Sequence, residues 1–355
     1  MDRFVQLHLL TFYPPANLNR DDTGRPKSAV MGGVSRLRVS SQSLKRAWRT
    51  SEAFAAALEG HLAARTQRIG AEVLRHLEGK GVAPDKALAV ARDIAGIFGK
   101  VKKEDDKNPT FTEQLAFISP EEREAALNLA EARASGADAT EPGKLAGTIL
   151  KAKDTAADIA MFGRMLADNA EYNREAAVSV AHAVTTHRVV IEDDYYTAVD
   201  DLKTATEDAG AGFIGEAGFG SGVFYLYLVI DRALLVDNLG GDRALAHEAI
   251  SALTTAAATV GPRGKSASYA SFARTSFLLA ERGNGAPRTL AAAFAQPVDQ
   301  GRANDLLSLS IQRLKETRGQ FARAYPGDVP AFAHFSVPDG EGSLDEVVRF
   351  AVDGL

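Results

Sequence analysis

Cysteine is missing from all 355 residues. That excludes disulfide staples, a thiolate nucleophile and a sulfur-ligated metal, and a reducing cytoplasm is the expected setting. Long apolar runs are missing too. None approaches the roughly 20 residues that a membrane helix needs. Met1-Asp2-Arg3 leads straight into a strand-like run instead of a signal peptide's apolar segment, so no membrane partner is expected. The seven histidines show no H-E-x-x-H or other metal spacing. With 45% hydrophobic and 25% charged residues, the composition is that of a soluble globular protein with a real core.

One absence is local. Between Asp22 and Glu52 there is no carboxylate, although the whole chain carries a net charge of -5. Arg36, Arg38, Lys45, Arg46 and Arg49 crowd into that acid-free stretch. A basic island in an acidic chain suggests a site for a polyanion.

The local pattern gives the island a shape. Phe4 to Phe12 reads as a buried strand, and Asn17 to Lys27 as a loop rich in turn formers. Arg36 to Val39 alternates as a half-buried strand, with Leu37 and Val39 on one side and both arginines on the other. Ser40 or Ser41 can cap the helix that follows. On that helix Gln42, Lys45, Arg46 and Arg49 share one face, while Leu44, Ala47 and Trp48 face a core. A capped helix N-terminus flanked by cations favours phosphate oxygens, and Ser40, Ser41, Gln42 and Ser43 add neutral donors.

From Ser51 to Tyr172 Ala, Leu, Glu, Arg and Lys dominate, as in a helical insertion. Lys144, Lys151 and Lys153 form a weaker basic set there, which alone reads as a solvated helix face. Val178 to Ile191 returns to strand composition, and Glu192 to Phe219 is a long excursion. Gly222 to Asp231 is a strand, Ala244 to Val260 a helix, Ala270 to Ala280 a strand, and Asn304 to Ala324 and Leu344 to Val352 are helices. Without the insertion the order is β, helix, β, β, helix, β, the ferredoxin-like pattern of RNA-recognition folds. The expected fold class is therefore α+β.

Other motifs fail on context. Gly210-Ala211-Gly212-Phe213-Ile214-Gly215 has the dinucleotide spacing but lacks a preceding strand and a following helix. Gly264-Lys265-Ser266 looks like the end of a P-loop, yet Thr259 stands where the first glycine is required, and a strand is expected to follow. His182 and His187 read as core or interface groups. Asp21-Asp22 can hold a divalent metal for RNA cleavage or simply orient their loop; without a third ligand the loop role is favoured.

Leu18-Asn19-Arg20-Asp21-Asp22, then Gly32-Gly33, then Arg38 to Ala47 resemble the N-terminal signature of the CasC family, the repeated backbone subunit of the type I-E CRISPR Cascade surveillance complex. The match continues through Gly163-Arg164-Met165, Val180 to His187, Tyr196 to Leu202 and Ser221 to Tyr225. The resemblance implies a modified RNA-recognition palm over 1–55 and 173–355, helical fingers over 56–172, and a thumb over 193–220. It carries guide-RNA contacts onto Arg20, Ser40, Gln42, Lys45, Arg46 and Arg49, to which the local pattern adds Arg36 and Arg38. It makes Met165 an apolar wedge near the bases, and it places Lys144, Lys151 and Lys153 loosely on target DNA. The implied partners are crRNA, target DNA, neighbouring copies and other Cascade subunits. No catalytic residue, metal or cofactor is expected. The alternative is a related subunit that cuts RNA with metal near Asp21 or Asp22.

Overall fold

The computed structural model describes residues 1–138, 140–141, 144–198, 213–298 and 305–355. β1 (Phe4–Ala16) is buried on both faces from Val5 to Leu10, as its unbroken apolar run requires. It pairs antiparallel with Phe277–Gly283, Leu7 opposite Ala280, and that strand pairs antiparallel with Ala331–Ser336. With β2 (Ser28–Met31) and β3 (Val34–Val39), the sheet order is Ala331–Ser336, Phe277–Gly283, β1, Phe213–Asp231, Ala183–Thr185, β3, β2. Helices accompany this sheet throughout, so the class is α+β.

The chain divides into two compact units. The first comprises 1–54, 180–229 and 253–354, and the second 55–179, 230–252 and 355. In the first, Tyr13, Val39, Leu44, Phe224, Leu226 and Ala257 close on one face of the sheet around a gap of only about 20 Å³. On the other face Leu10, Val223, Tyr225 and Phe277 pack against Phe294, Ile311 and Leu314. Ile311 and Leu314 lie on the Leu306–Ala324 helix, whose Asp305 cap accepts from Leu307 N and Ser308 N. This second face also holds Glu281, fully buried, which accepts from Arg288 at 2.8 and 3.1 Å and from Arg318 at 2.8 Å. His8 Nε2 faces the same carboxylate at 3.3 Å, while its Nδ1 meets the Tyr225 hydroxyl at 2.9 Å.

The second unit is built on the Ile69–Gly79, Pro84–Phe98 and Pro120–Ser135 helices, around Val73, Leu77, Ile94, Ala126 and Leu129. It also carries a short antiparallel pair, Ala64–Thr66 with Ala116–Ile118. Ser119 and Glu122 cap the third helix reciprocally. Segment 230–252, expected within the palm, packs in this unit: Asn238 Nδ2 donates to the Ala160 and Glu175 carbonyls at 3.0 and 2.9 Å.

Three expected elements change. The strand expected over Val178 to Ile191 is two short ones, Val178–Val180 and Ala183–Thr185. Thr186 N still donates to Val223 O at 2.9 Å, but Thr186 O accepts from Val298 N and the Thr185 hydroxyl donates to His187 O, so the backbone leaves the ladder after that bond. The strand expected from Gly222 starts at Phe213, where it forms a ribbon with Glu192–Ala198 that sets Tyr195 opposite Glu216. Residues 199–212, including Gly210 and Gly212 of the glycine motif and the middle of the expected thumb, lie outside the described residues. The strand expected from Ala270 begins at Phe277, and a four-residue helix, Ser266–Tyr269, replaces the strand expected after Lys265.

Candidate nucleic-acid interface

α1 (Ser41–Arg49) begins at Ser40, whose Oγ accepts from Ser43 N at 3.4 Å. Leu44, Ala47 and Trp48 are buried, and Trp48 Nε1 donates to the Val260 carbonyl at 3.2 Å. That packing leaves Gln42 and Arg46 exposed and Lys45 and Arg49 half-buried on the expected face. Burial lowers the Lys45 ammonium from its ordinary value. Ser40 itself is buried, and its oxygen is engaged in the cap.

The loop carrying Arg20 is held against this helix. Asn19 Oδ1 accepts from Ser40 N at 2.9 Å, and Asn19 O accepts from Lys27 N at 2.8 Å. Asn17 Nδ2 bridges the Gly24 and Gly218 carbonyls at 3.0 and 2.9 Å. Asp21 Oδ1 accepts from Thr23 N, the Thr23 hydroxyl and Arg25 N at 2.8–3.0 Å, and the Thr23 bond leads in holding its carboxyl below the usual range. Its carboxylate therefore shapes the loop. The result is an open cleft of about 590 Å³, lined by Arg20, Asp22, Ser43, Arg46, Thr50 and Arg263 among others.

Arg263 has no place in the sequence-based site. It is exposed and donates to Thr50 O at 3.3 Å. A signal for it exists: no carboxylate occurs between Glu248 and Glu281, a second acid-free stretch like the first. Arg38 does not line this cleft; its Nη1 is 2.8 Å from His182 Nδ1 and its Nε donates to Ser28 O at 3.4 Å. His182 is exposed, contrary to a core placement, and burial followed by the charges of Arg38 and Lys27 lowers its pKa. His187 is buried.

Arg36 corrects the expectation that both strand arginines face a ligand. It is 0% exposed. Its Nη1, Nη2 and Nε donate to the Thr185, Phe294 and Met31 carbonyls at 2.8, 3.0 and 3.2 Å. The cause is the 291–295 segment, which closes over this side of the hairpin so tightly that a Cβ on Gly32 would lie 1.7 Å from Ala295 O. Arg36 is therefore a structural cross-brace.

In the second unit, Arg164 is buried and pairs with Glu122 Oε2 at 2.5 Å, while its backbone exchanges hydrogen bonds with Arg174. Gly163 adopts φ +79°, and a Cβ there would come 2.9 Å from Arg174 O. With these constraints before it, and after it a buried Leu166 whose N donates to Asn173 Oδ1 at 2.6 Å, Met165 is held outward at 85% exposure. Lys144, Lys151 and Lys153 are exposed; Lys144 pairs with Glu141 at 2.9 Å and Lys153 with Asp237. Such surface pairs are weak and leave both lysines available to a stronger anion.

A family model described as CT1975-like protein (Cas_CT1975) matches residues 5–352. No curated protein matches the chain. Among solved structures it is similar to one described as "CRISPR RNA-guided surveillance complex, pre-nicking", at 28% identity and a TM-score of 0.85, over 98% of this chain and 100% of that one. It also shares the fold of one described as "CRISPR RNA-guided surveillance complex", at 24% identity and a TM-score of 0.76, over 99% and 100%. The resemblance to a CRISPR-associated backbone protein thus holds from end to end, and the chain belongs to the CT1975-like protein family.

Proposed function

We propose that this chain is a non-catalytic, crRNA-binding backbone subunit of a type I-E Cascade surveillance complex. Copies line up along one guide RNA beside other Cascade subunits and present it to target DNA. The observation that carries the reading is the cleft in which Arg20, Arg46 and Arg263 meet the donor-rich first turns of α1. A guide holder must accept any sequence, so it should grip phosphate and ribose and leave base edges to pairing. A modest basic patch per copy suffices, because copies on one strand act at high effective concentration.

The strand arrangement supports a ferredoxin-like, RNA-recognition palm. β1 and Phe213–Asp231 are central, flanked by Phe277–Gly283 and Ala183–Thr185, as the first and third strands of βαββαβ are flanked by the fourth and second. The second unit fits the fingers, and the ribbon of Glu192–Ala198 fits the base of the thumb. Asp21's commitment to its own loop favours a grip over a metal-dependent nuclease.

Protein purified with its natural RNA tests the reading. A high ratio of 260 to 280 nm absorbance and a discrete crRNA-length species are expected; RNA of no defined size counts against it. Cleavage of target RNA in Mg²⁺ that Asp22→Ala abolishes would establish the nuclease instead.

A further inference from the structure

The loop that brings Arg263 into the cleft carries more than one cation. Arg263, Lys265 and Arg274 lie in the acid-free stretch between Glu248 and Glu281. The loop is docked on the Arg20 loop, because a Cβ on Gly264 would lie 2.3 Å from Leu18 O and 2.7 Å from Asn17 O. Lys265 and Ala270 both adopt φ +46°, a left-handed conformation uncommon outside glycine, and they bracket the Ser266–Tyr269 helix. Tyr269 is anchored with its ring 6.2 Å from that of Phe219. Ser271 is then buried, and the next residue, Phe272, is 83% exposed.

An aromatic ring held out in water between cations, on a loop docked at both ends, matches the way single-stranded nucleic acid is bound. Cations track the backbone, and a ring offers its face to a base. We propose that this loop is a second arm of the interface, in which Arg263 takes a phosphate and Phe272 stacks on an unpaired base. The inference rests on the RNA-binding reading above and adds a residue that contacts a base face without reading its edge. Because stacking needs an uncovered base face, the arm grips single-stranded RNA and loses Phe272's share on a duplex.

The test uses the full chain and a fluorescein-labelled single-stranded RNA of about eight nucleotides, short enough for one fold to cover. Phe272→Ala should weaken binding roughly 5- to 100-fold, with an unchanged slope of log K against log salt. Arg263→Ala should make that slope shallower by about one unit. Phe272→Trp should keep the affinity, and the probe should quench its emission above the Trp48 background read from the unaltered chain. The same RNA annealed to its complement should bind Phe272→Ala and the unaltered chain equally and leave the Phe272→Trp emission unquenched. If the unaltered chain binds the single strand but Phe272→Ala binds as well as it does, the stacking role is wrong and the RNA reading stands. Equal losses on single strand and duplex also overturn the stacking role. If the unaltered chain binds neither probe, the RNA reading fails and takes this inference with it.

Discussion

Asn19 Oδ1 accepts the backbone N–H of Ser40 at 2.9 Å, so a single side chain joins the Arg20 loop to the cap of α1. Asn19→Ala leaves that half-buried donor without its acceptor, at a cost of about 1–3 kcal/mol. Urea denaturation should show the lost stability. Binding of a short RNA by the folded variant should weaken as well, because Arg20 is no longer fixed against the helix.

Lys45→Ala with Arg46→Ala should weaken RNA binding about equally for unrelated sequences and flatten the salt slope by roughly one to two units. Titrations at several salt concentrations with two unrelated RNAs check both. A loss confined to one sequence would show base reading, and unchanged affinity would remove this face from the interface.

Arg36 should behave in the opposite way. Arg36→Ala strands three carbonyl acceptors in the core and should cost about 3–5 kcal/mol, while the salt slope of the folded variant stays where it was. Arg36→Lys should recover little, because an ammonium cannot fork to three carbonyls as a guanidinium does. A shallower slope for Arg36→Ala would restore it as a phosphate contact.

Glu281 sets an acid limit on stability. Burial alone would push its carboxyl up, but the His8 imidazole 3.3 Å away, the Arg288 hydrogen bonds and the neighbouring charge more than offset this and hold it at about 2. A folded-state pKa below the unfolded one contributes stability that is present above the ordinary carboxyl value of 4.5 and is lost as pH falls from there towards about 2. Denaturation midpoints between pH 6 and 3 should fall across this window. Glu281→Gln should lower the midpoint at neutral pH and flatten the acid limb; an unaltered limb would place the acid sensitivity elsewhere.

The face of α1 was legible because helix period, cap and charge all act within a dozen residues. Met165 needed the family resemblance, since nothing in Gly-Arg-Met alone says that the arginine turns in and the methionine out. Arg36 was misread for a reason no local pattern contains. Its acceptor on Phe294 arrives from 258 positions away, and without that segment the alternation of β3 does point Arg36 at solvent. Arg263 was missed because its loop was weighed only as a failed nucleotide motif. The strand starts at Phe277 and not at Ala270 because Ala270 takes a left-handed φ of +46° and Thr275 N donates to Ala258 O, off the sheet, neither of which the local residue pattern announces.

The side of the sheet that bears Glu281 lies under the Leu306–Ala324 helix, so no nucleic acid can spread across those strands. What remains is the cleft between α1 and the Arg20 and Arg263 loops, bordered by the exposed side chains of Arg20, Arg46 and Arg263. On the proposed reading, that trough can be filled sideways. A transcript laid into it needs no free end, and a subunit can join or leave the middle of a strand without the strand being threaded or broken.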